Sequence, residues 1–345
     1  MKTLAAILVR QNAPLQIWEL EIPVLREGQV LVQMAYSGLC QSQLNEIRGY
    51  KGVDPYLPHT IGHEGSGVVL DVGPNVTKTK IGDHVVLSWI KGIGLDAGGT
   101  KYLDEDREIN SGPISTFLSH AVISENRTIP IPSSMPLREA ALLGCAIPTG
   151  AGVVFNEMKV KKGQSVALFG LGGIGLSALI AASHAKAYPI IAVDVNEEKL
   201  AMAKEFGATH LINASLCNPF QDIMQITASK GVDFSLEAAG RKEVVEAAYS
   251  VVKASGGLCV VAGNVPQGQK IEIDPFDLIR GKRIVGTWGG GADIDRDVKA
   301  YVQMFSENRL TLSRLITHEV PISEINELCS AMSAGIVGRG MVRFC

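Results

Sequence analysis

The sequence predicts an α/β fold in which a doubly wound, six-stranded parallel sheet is joined to a second, mostly antiparallel β domain. Strands and helices alternate between residues 148 and 288, which is typical of a parallel sheet with helices on both faces. A glycine-rich turn joins the first of these strands to its helix. Residues 1–147 contain β patterns separated by glycine and proline, and we expect 289–345 to return to this first domain.

Short apolar runs predict the strands of both domains. In the parallel sheet the six runs are 165–169, 189–194, 210–213, 232–236, 258–262 and 283–286. In the first domain the clearest patterns are 29–34, 67–72 and 83–87, with an amphipathic helix near 295–305 and a closing strand at 341–344.

The glycine-rich turn has the spacing G-x-G-x-x-G. It consists of Gly170, Leu171, Gly172, Gly173, Ile174 and Gly175. In a strand–turn–helix context the first glycine allows a tight turn, the second lets the backbone approach a pyrophosphate, and the third lets helix and strand pack closely. The phosphate would bind at the helix N-terminus, where free N–H groups favour an anion. Glycines also end strands for purely structural reasons, so the motif needs support from residues further along the chain.

That support is Asp194, a carboxylate at the end of the second strand and roughly 20 residues beyond the turn. There it can accept both hydroxyls of an adenosine ribose and repel a 2′-phosphate, which favours NAD over NADP. The alternative is that Asp194 only caps the next helix, predicted over 197–206.

Composition limits the function classes. A chain of 345 residues with 46% hydrophobic and 19% charged residues is long enough for two domains with separate cores. A net charge of −3 without basic runs excludes a nucleic-acid-binding face. The apolar N-terminus reaches Arg10 too early for a secretory signal, and no apolar stretch approaches a membrane span. Six scattered cysteines do not form a disulfide framework, so we expect a cytoplasmic enzyme.

Three residues of the first domain match a catalytic zinc site of the Cys₂His type, which leaves a fourth position for water or substrate. They are Cys40, His63 and Cys145. Their spacing alone does not prove a site, because a single buried cysteine is more often a small hydrophobic residue, and a single histidine is more often an ordinary polar one.

The chain resembles the zinc-containing medium-chain dehydrogenases, the alcohol and polyol dehydrogenase family, over nearly its whole length. The motifs that carry the resemblance are Gly62-His63-Glu64, Gly144-Cys145 before Thr149-Gly150, residues 170–175, Val193-Asp194-Val195-Asn196 with Lys199, Phe206-Gly207-Ala208-Thr209, and Gly231-Val232-Asp233-Phe234. The resemblance implies a GroES-like β catalytic domain (1–147 and 289–345) and a Rossmann NAD-binding domain (148–288).

The resemblance also implies roles at the reaction centre. Cys40, His63 and Cys145 would bind one catalytic zinc, with Glu64 beside it as an occasional ligand. Zinc would act as a Lewis acid on the alcohol oxygen while NAD accepts the hydride. Ser42 would pass the alcohol proton outward; the alternative is a simple turn serine.

For the cofactor and the pocket, the resemblance implies that Thr149 contacts the cofactor, Lys199 reaches the adenosine ribose and Arg339 reaches the pyrophosphate. The alternatives are a solvated helix end for Lys199 and a surface charge at a strand end for Arg339. Trp89 matches an aromatic wall of the substrate pocket, although it could be simple core.

Three departures from the family pattern are visible. No cysteine lies between Cys40 and Cys145, so the second, structural zinc of many members cannot form, and we expect about one zinc per chain. Gln43 stands where the family usually has an Asp that hydrogen-bonds the zinc-binding imidazole. Gln41 and Asn45 replace a cation and a proton-relay histidine, while His59 nearby is expected to be structural.

The sequence thus predicts an NAD-dependent zinc oxidoreductase acting on a secondary alcohol, a polyol or a sugar-like substrate, or on its ketone or aldehyde. The alternatives are a zinc-free reductase of enones or quinones from the same superfamily and a non-catalytic nucleotide-binding protein. The resemblance also implies a homodimer or homotetramer paired near residues 284–288, with a small-molecule substrate and no nucleic-acid or membrane partner.

Overall fold

The structure, a computed structural model, describes residues 1–344 and divides the chain into two compact units. Unit 1 contains Met1–Cys145 together with the C-terminal segment from Asp293, and unit 2 contains Ala146–Ala292. The chain therefore passes between units at 145/146 and 292/293, a few residues from the expected boundaries at 147/148 and 288/289. The first difference arises because Gly144 packs against β-strand backbone of unit 1, where a Cβ would lie 2.2 Å from the Leu87 oxygen.

The N-terminal part of unit 1 is mostly β-structure. Its strands are β1 (Lys2–Leu8), β2 (Gln16–Glu21), β3 (Gln29–Leu39), β4 (His59–Thr60), β5 (Glu64–Val72), β6 (His84–Ser88), β7 (Thr100–Asp104), β8 (Arg107–Ser111), β9 (His120–Ser124) and β10 (Thr128–Ile131). Its α-helices are α1 (Gln41–Ile47) and α2 (Leu137–Ala140).

Unit 2 alternates helices with parallel strands. In order, it contains α3 (Ala146–Gly152), a π-helical turn (Val153–Glu157), β11 (Val166–Phe169), α4 (Gly173–His184), β12 (Ile190–Asp194), α5 (Glu197–Glu205), β13 (His210–Asn213), α6 (Pro219–Ile226), β14 (Phe234–Glu237), α7 (Lys242–Ser250), β15 (Leu258–Val261), α8 (Pro275–Ile279) and β16 (Arg283–Gly286). The C-terminal segment of unit 1 contains α9 (Ile294–Ser306), β17 (His318–Pro321), α10 (Ile325–Ser333) and β18 (Gly340–Arg343).

In unit 1, within the described residues, five strands close into a barrel in the order β1-β2-β7-β8-β4. A further sheet has the order β10-β6-β5-β3-β18-β17, with β9 also paired to β3. Most pairings are antiparallel, and β18 pairs with β3, which brings the C-terminal segment back to this unit. Apolar side chains alternate toward a shared core that includes Val30, Val32 and Leu87.

In unit 2 the described strands form one parallel sheet in the order β13-β12-β11-β14-β15-β16. The central strand β11 is buried along its whole length, as an apolar run covered by helices on both faces requires. The strand order reverses direction at β11 and β14, and the carboxyl ends of strands at such a point are where ligands bind in open α/β sheets. The predicted α/β fold with its two kinds of sheet is confirmed.

Among residues 1–344, no single helix is long and apolar enough to cross a membrane. A bent pair, 137–144 with 146–157, would reach that length and apolarity if its two helices were counted together.

A buried carboxylate of unit 1, that of Glu125, holds two nearby segments of the chain by hydrogen bonds. Glu125 accepts N–H groups from Thr77 at 2.6 Å, Lys78 at 2.7 Å and Leu95 at 2.7 Å. Burial raises the pKa of Glu125, but these donors outweigh it and hold the pKa below its ordinary value. The Glu125 carboxylate thus connects the backbone at residues 77–78 to the backbone at residue 95.

Replacing Glu125 with Gln is expected to lower the free energy of unfolding by about 1–3 kcal/mol, because an amide nitrogen would face a backbone donor. Since the folded pKa lies below 4.5, the contribution is present above that pH and is lost as pH falls through the folded value. Denaturant unfolding at neutral and acidic pH measures both effects. Glu108→Gln, at an exposed glutamate, is the control, and an equal loss in both variants would contradict the assignment.

Candidate active site and metal centre

Cys40 is placed by the junction of β3 and α1. It is the N-cap residue of α1 and has extended backbone angles. Its N–H donates to the Oε1 of Gln43 at 3.0 Å, so the residue three positions later reaches back to the cap. This local arrangement fixes the start of the helix and with it the direction of the thiol.

His63 is placed by a turn before β5 that requires glycine. Gly62 has a φ of +104°, and a Cβ there would lie 2.5 Å from Thr116 Oγ1. The glycine therefore lets the chain turn into β5 while His63 remains at the strand entrance.

Cys145 is placed by a close approach of its neighbour to β5 and β6. A Cβ on Gly144 would lie 2.9 Å from the Cβ of Glu64, and the Gly144 carbonyl accepts a hydrogen bond from Ser88 Oγ at 2.7 Å. Only glycine allows this packing, which holds Cys145 beside the strand that His63 precedes.

These three residues, far apart in sequence, form one cluster. The Sγ atoms of Cys40 and Cys145 and a ring nitrogen of His63 all lie within 4.8 Å of one another, and His63 Nε2 lies 3.2 Å from Cys145 Sγ. The pKa of the Cys40 thiol is well below its ordinary value, chiefly because Cys145 hydrogen-bonds to it; burial opposes this, and His63 adds to it. Two cysteine sulfurs and an imidazole nitrogen at these distances form a set of ligands that suits zinc.

Two predicted neighbours lie at this cluster. Ser42 Oγ is 3.4 Å from His63 Nδ1. The ring of Trp89 meets the ring of His63 edge-on, with centroids 6.4 Å apart. Arg127 donates a hydrogen bond to the Trp89 carbonyl, which fixes the backbone that carries this indole.

The structure contradicts one of the two interpretations of Arg339, that of a surface charge at a strand end. It is 4% exposed, and its guanidinium contacts the carboxylate of Glu64, which is fully buried. Burial lowers the pKa of Arg339, while the charge of Cys40 acts in the opposite direction. The interpretation as a surface charge is therefore wrong, because an interior guanidinium requires a partner. Its contact with a pyrophosphate stays a prediction, and Glu64 lies outside the three-residue cluster.

The glycines of the turn after β11 have the geometry that a dinucleotide loop requires. Gly170 has a φ of +89°, and a Cβ there would lie 2.8 Å from the Ala239 nitrogen. A Cβ on Gly175 would lie 1.9 Å from the Gly170 oxygen, whereas one on Gly172 would meet nothing within 4 Å. The first and third positions are thus needed for the turn and for packing, and the second leaves open space at the N-terminus of α4.

Asp194 is not the cap of the following helix, because Asn196 accepts the N–H groups of Glu198 and Lys199 at the start of α5. Asp194 Oδ2 instead accepts the N–H of Leu171 at 2.6 Å, and Oδ1 accepts those of Val195 and Asn196. The carboxylate therefore anchors the glycine loop, a contact that sequence reasoning missed.

Thr149 lies in α3, which packs on the first turn of α4. A Cβ on the adjacent Gly150 would lie 2.2 Å from the Ile174 oxygen. The Thr149 side chain is 5% exposed, and its hydroxyl has no hydrogen-bond partner among the described residues. Lys199 is half-buried in the first turn of α5.

Glu237 is a further residue that sequence reasoning missed. It ends β14 opposite Phe169 and is fully buried. Its Oε1 accepts N–H groups from Ala239 at 2.8 Å and Gly240 at 2.6 Å, and burial raises its pKa. The sequence feature that could have identified Glu237 is its position as an acidic residue at the end of an apolar strand.

The other cysteines lie outside the cluster. Cys217 is exposed, Cys259 is buried and Cys329 is partly buried, as expected of surface and core thiols, while Cys345 lies outside the described residues. His59 is buried and bonded to the carboxylate of Asp54 at 2.8 Å and to the Thr60 carbonyl at 2.7 Å, an arrangement that holds the loop before β4.

Two family models match the chain: an alcohol dehydrogenase GroES-like domain over residues 26–133 and a zinc-binding dehydrogenase domain over 173–307. The S-(hydroxymethyl)glutathione dehydrogenase of Paracoccus denitrificans is 31% identical over an alignment of 378 positions, gaps included, that covers all of both chains. The chain belongs to the zinc-containing medium-chain dehydrogenase/reductase family. The resemblance found in the sequence is thereby confirmed.

Two solved structures extend this family relationship to the fold. An alcohol dehydrogenase zinc-binding domain protein from Burkholderia ambifaria is 34% identical with a TM-score of 0.91, covering 99% of each chain. Benzyl alcohol dehydrogenase from Acinetobacter calcoaceticus is 29% identical with a TM-score of 0.91, covering 100% of each. This medium-chain dehydrogenase is therefore an oxidoreductase of the alcohol dehydrogenase type.

Proposed function

We propose that this enzyme uses one zinc ion and NAD to transfer hydride between an alcohol and the corresponding ketone or aldehyde. The observation that carries the proposal is the convergence of Cys40, His63 and Cys145, whose ligand atoms lie within 4.8 Å of one another. In a tetrahedral zinc site such atoms are separated by about 3.5–3.8 Å, so small movements suffice to hold the ion. Three protein ligands leave a fourth position for substrate, which is typical of catalytic zinc.

The fit to NAD rests on unit 2. The open space at Gly172 and the N-terminus of α4 suit a pyrophosphate, and the hydroxyl of Thr149 is a buried group that still needs a partner. Asp194 places a negative charge at the end of β12, where it favours a ribose hydroxyl over a 2′-phosphate. We propose that Lys199 contacts this ribose, Arg339 the pyrophosphate, and the loop residues Gly170, Gly173, Ile174 and Gly175 the cofactor.

In the reaction, zinc supplies a Lewis acid for the alcohol or carbonyl oxygen, and NAD supplies the hydride acceptor. Oxidation of the alcohol would release one hydride, which bound NAD would accept, and one proton from the hydroxyl. Ser42 Oγ, at 3.4 Å from His63 Nδ1, is the group that we propose takes this proton outward. Trp89, edge-on to His63, would form one wall of the pocket and exclude water from it. Glu64, paired with Arg339, would keep the charge beside the thiolates balanced.

The substrate class that we propose is a secondary alcohol, a polyol or a sugar-like molecule. The names of the relatives add S-(hydroxymethyl)glutathione and benzyl alcohol as compounds to test. The indole of Trp89 can stack on an aromatic ring or on the apolar face of a sugar.

We propose that the enzyme is a homodimer or homotetramer in the cytoplasm. β16 is the edge strand of the described parallel sheet, and Trp288, just beyond it, is 82% exposed. An apolar edge of this kind is stabilised by pairing with a second copy. Free thiols that must ligate zinc persist in a reducing compartment.

Purified enzyme is expected to contain about one zinc per chain and to reduce NAD with at least one class of alcohol in a panel that includes the compounds named above. Elemental analysis and NADH absorbance measure these quantities. Reduction should stop after chelation and return with added zinc. NAD binding without turnover would indicate a nucleotide-binding protein, enone reduction without zinc would indicate a reductase, and two zinc ions per chain would contradict the single site.

A further inference from the structure

Gln43 is buried beside the metal cluster and contacts two of its three residues, Cys40 and His63. Its side-chain Oε1 accepts the backbone N–H of Cys40 at 3.0 Å. Its Nε2 contacts Nδ1 of His63. The residue is 1% exposed, so neither contact is shared with bulk water.

The amide can satisfy these two partners in one orientation only. The N–H of Cys40 is always a donor, so the single carbonyl oxygen of Gln43 must face it. The NH₂ group then faces Nδ1 of His63, which has to accept. A neutral imidazole that accepts at Nδ1 carries its proton on Nε2, and Nε2 lies 3.2 Å from the sulfur of Cys145, an acceptor for that proton.

Zinc binding requires the opposite tautomer of His63, with no proton on Nε2. A ligating imidazole offers the lone pair of one nitrogen and carries its proton on the other, where a hydrogen bond holds it. Nε2 is the nitrogen next to the Cys145 sulfur, whereas Nδ1 faces Gln43 and Ser42, so the proton must lie on Nδ1 when the metal is bound. Gln43 cannot accept that proton while its oxygen is bonded to Cys40.

The second side chain at Nδ1 is Ser42, whose Oγ lies 3.4 Å away and can accept as well as donate. We infer that Gln43 holds His63 in the tautomer that opposes zinc binding, and that the Ser42 hydroxyl supplies the acceptor for the zinc-binding tautomer. Both are positioning residues in this respect, and the inference rests on the zinc site of the proposed function. The metal is therefore held less tightly than a carboxylate at position 43 would hold it.

Zinc dissociation constants measured by chelator competition test this inference, with Gln43→Glu as the central variant. Glutamate keeps the contact to the Cys40 N–H, because Glu and Gln serve equally at this helix position, and its second oxygen can accept from Nδ1. Zinc is expected to bind about 10–100-fold more tightly to Q43E than to the unmodified enzyme. Gln41→Glu, at an exposed position two residues earlier on the same helix, adds the same charge without contacting His63 and is the matched control.

Ser42→Ala distinguishes the role of the hydroxyl. In the unmodified enzyme S42A should weaken zinc binding by about tenfold, whereas in the Q43E background it should have little effect, because the carboxylate then accepts the proton. The absorption spectrum of bound Co²⁺ verifies in each variant that two thiolates and one imidazole still form the site.

The imidazole ¹⁵N shifts of His63 in the metal-free enzyme provide a measurement that does not depend on comparing zinc affinities. With the resonance assigned by its loss in His63→Ala, the expected form has the proton on Nε2. A proton on Nδ1, or on both nitrogens, overturns the inference.

The outcomes separate the inference from the proposed function. Tighter zinc in Q43E but not in Q41E supports the inference. Equal affinity in Q43E and the unmodified enzyme, or an equal gain in Q41E, overturns it and leaves the zinc site intact. If Q43E binds zinc and the unmodified enzyme does not, the inference is supported and zinc-dependent activity of the unmodified enzyme is contradicted. Failure of both to bind zinc contradicts both proposals.

Discussion

Replacing Cys40 with serine is expected to remove zinc and dehydrogenase activity together. The thiolate is one of three ligands, and a neutral hydroxyl is a poor substitute for it at a soft metal site. Loss of the Lewis acid removes several kcal/mol of transition-state stabilisation, so kcat/KM should fall by at least about 10³-fold. Replacing His63 with alanine should have the same result. Elemental analysis and NADH formation on the same samples measure both effects.

The control for this prediction is Cys217→Ser, since that thiol is exposed and lies in unit 2, outside the cluster. It should retain full zinc content and full activity. NAD binding by C40S should also be unchanged, because the glycine loop belongs to unit 2. A C40S enzyme that turns over at the unmodified rate without zinc would refute the site.

Replacing Asp194 with asparagine is expected to shift cofactor preference toward NADP. The carboxylate repels a 2′-phosphate, and juxtaposed like charges cost several kcal/mol, so the NADP/NAD ratio of kcat/KM should rise by about 10²-fold. Asparagine retains one of the two oxygens and turns its NH₂ toward the remaining backbone donor, whereas alanine removes both acceptors and frees the loop. Asp194→Ala should therefore show the same shift in ratio together with a larger loss of overall kcat/KM.

Steady-state kinetics with both cofactors measure this prediction. Glu197→Gln, which removes a charge of the same sign from the first turn of α5, is the control. An unchanged cofactor ratio in both Asp194 variants would contradict its assignment to the ribose. Equal overall losses in D194N and D194A would contradict its role as an anchor of the loop.

The strands of unit 2 could be predicted because their signals are local. An apolar run bounded by glycine, proline or a carboxylate is enough to place β11 and β12, and the structure has both within a residue or two of the prediction. The glycine turn could be interpreted for the same reason, since each glycine has its own local cause. The metal ligands came from the family resemblance, because their spacing does not reveal that Gly62 and Gly144 bring them together.

Contacts between distant parts of the sequence could not be predicted. For Arg339 the sequence offered a pyrophosphate contact or, as the alternative, a surface charge at a strand end. Neither interpretation included its pairing with Glu64, which depends on the pairing of the adjacent β18 with β3. The bond from Leu171 to Asp194 depends on the register of β11 beside β12, which no local pattern contains. The orientation of the Gln43 amide depends on two partners that only the folded chain brings to it.

Titration of the metal-free enzyme with zinc tests zinc-dependent alcohol oxidation most directly. With NAD and the best alcohol of the panel, NADH formation should begin near zero, rise in proportion to bound zinc, and level off at about one zinc per chain. The same titration of C40S should stay flat. Full turnover before any zinc is added, or zinc binding that leaves the rate unchanged, would contradict a zinc-dependent dehydrogenase.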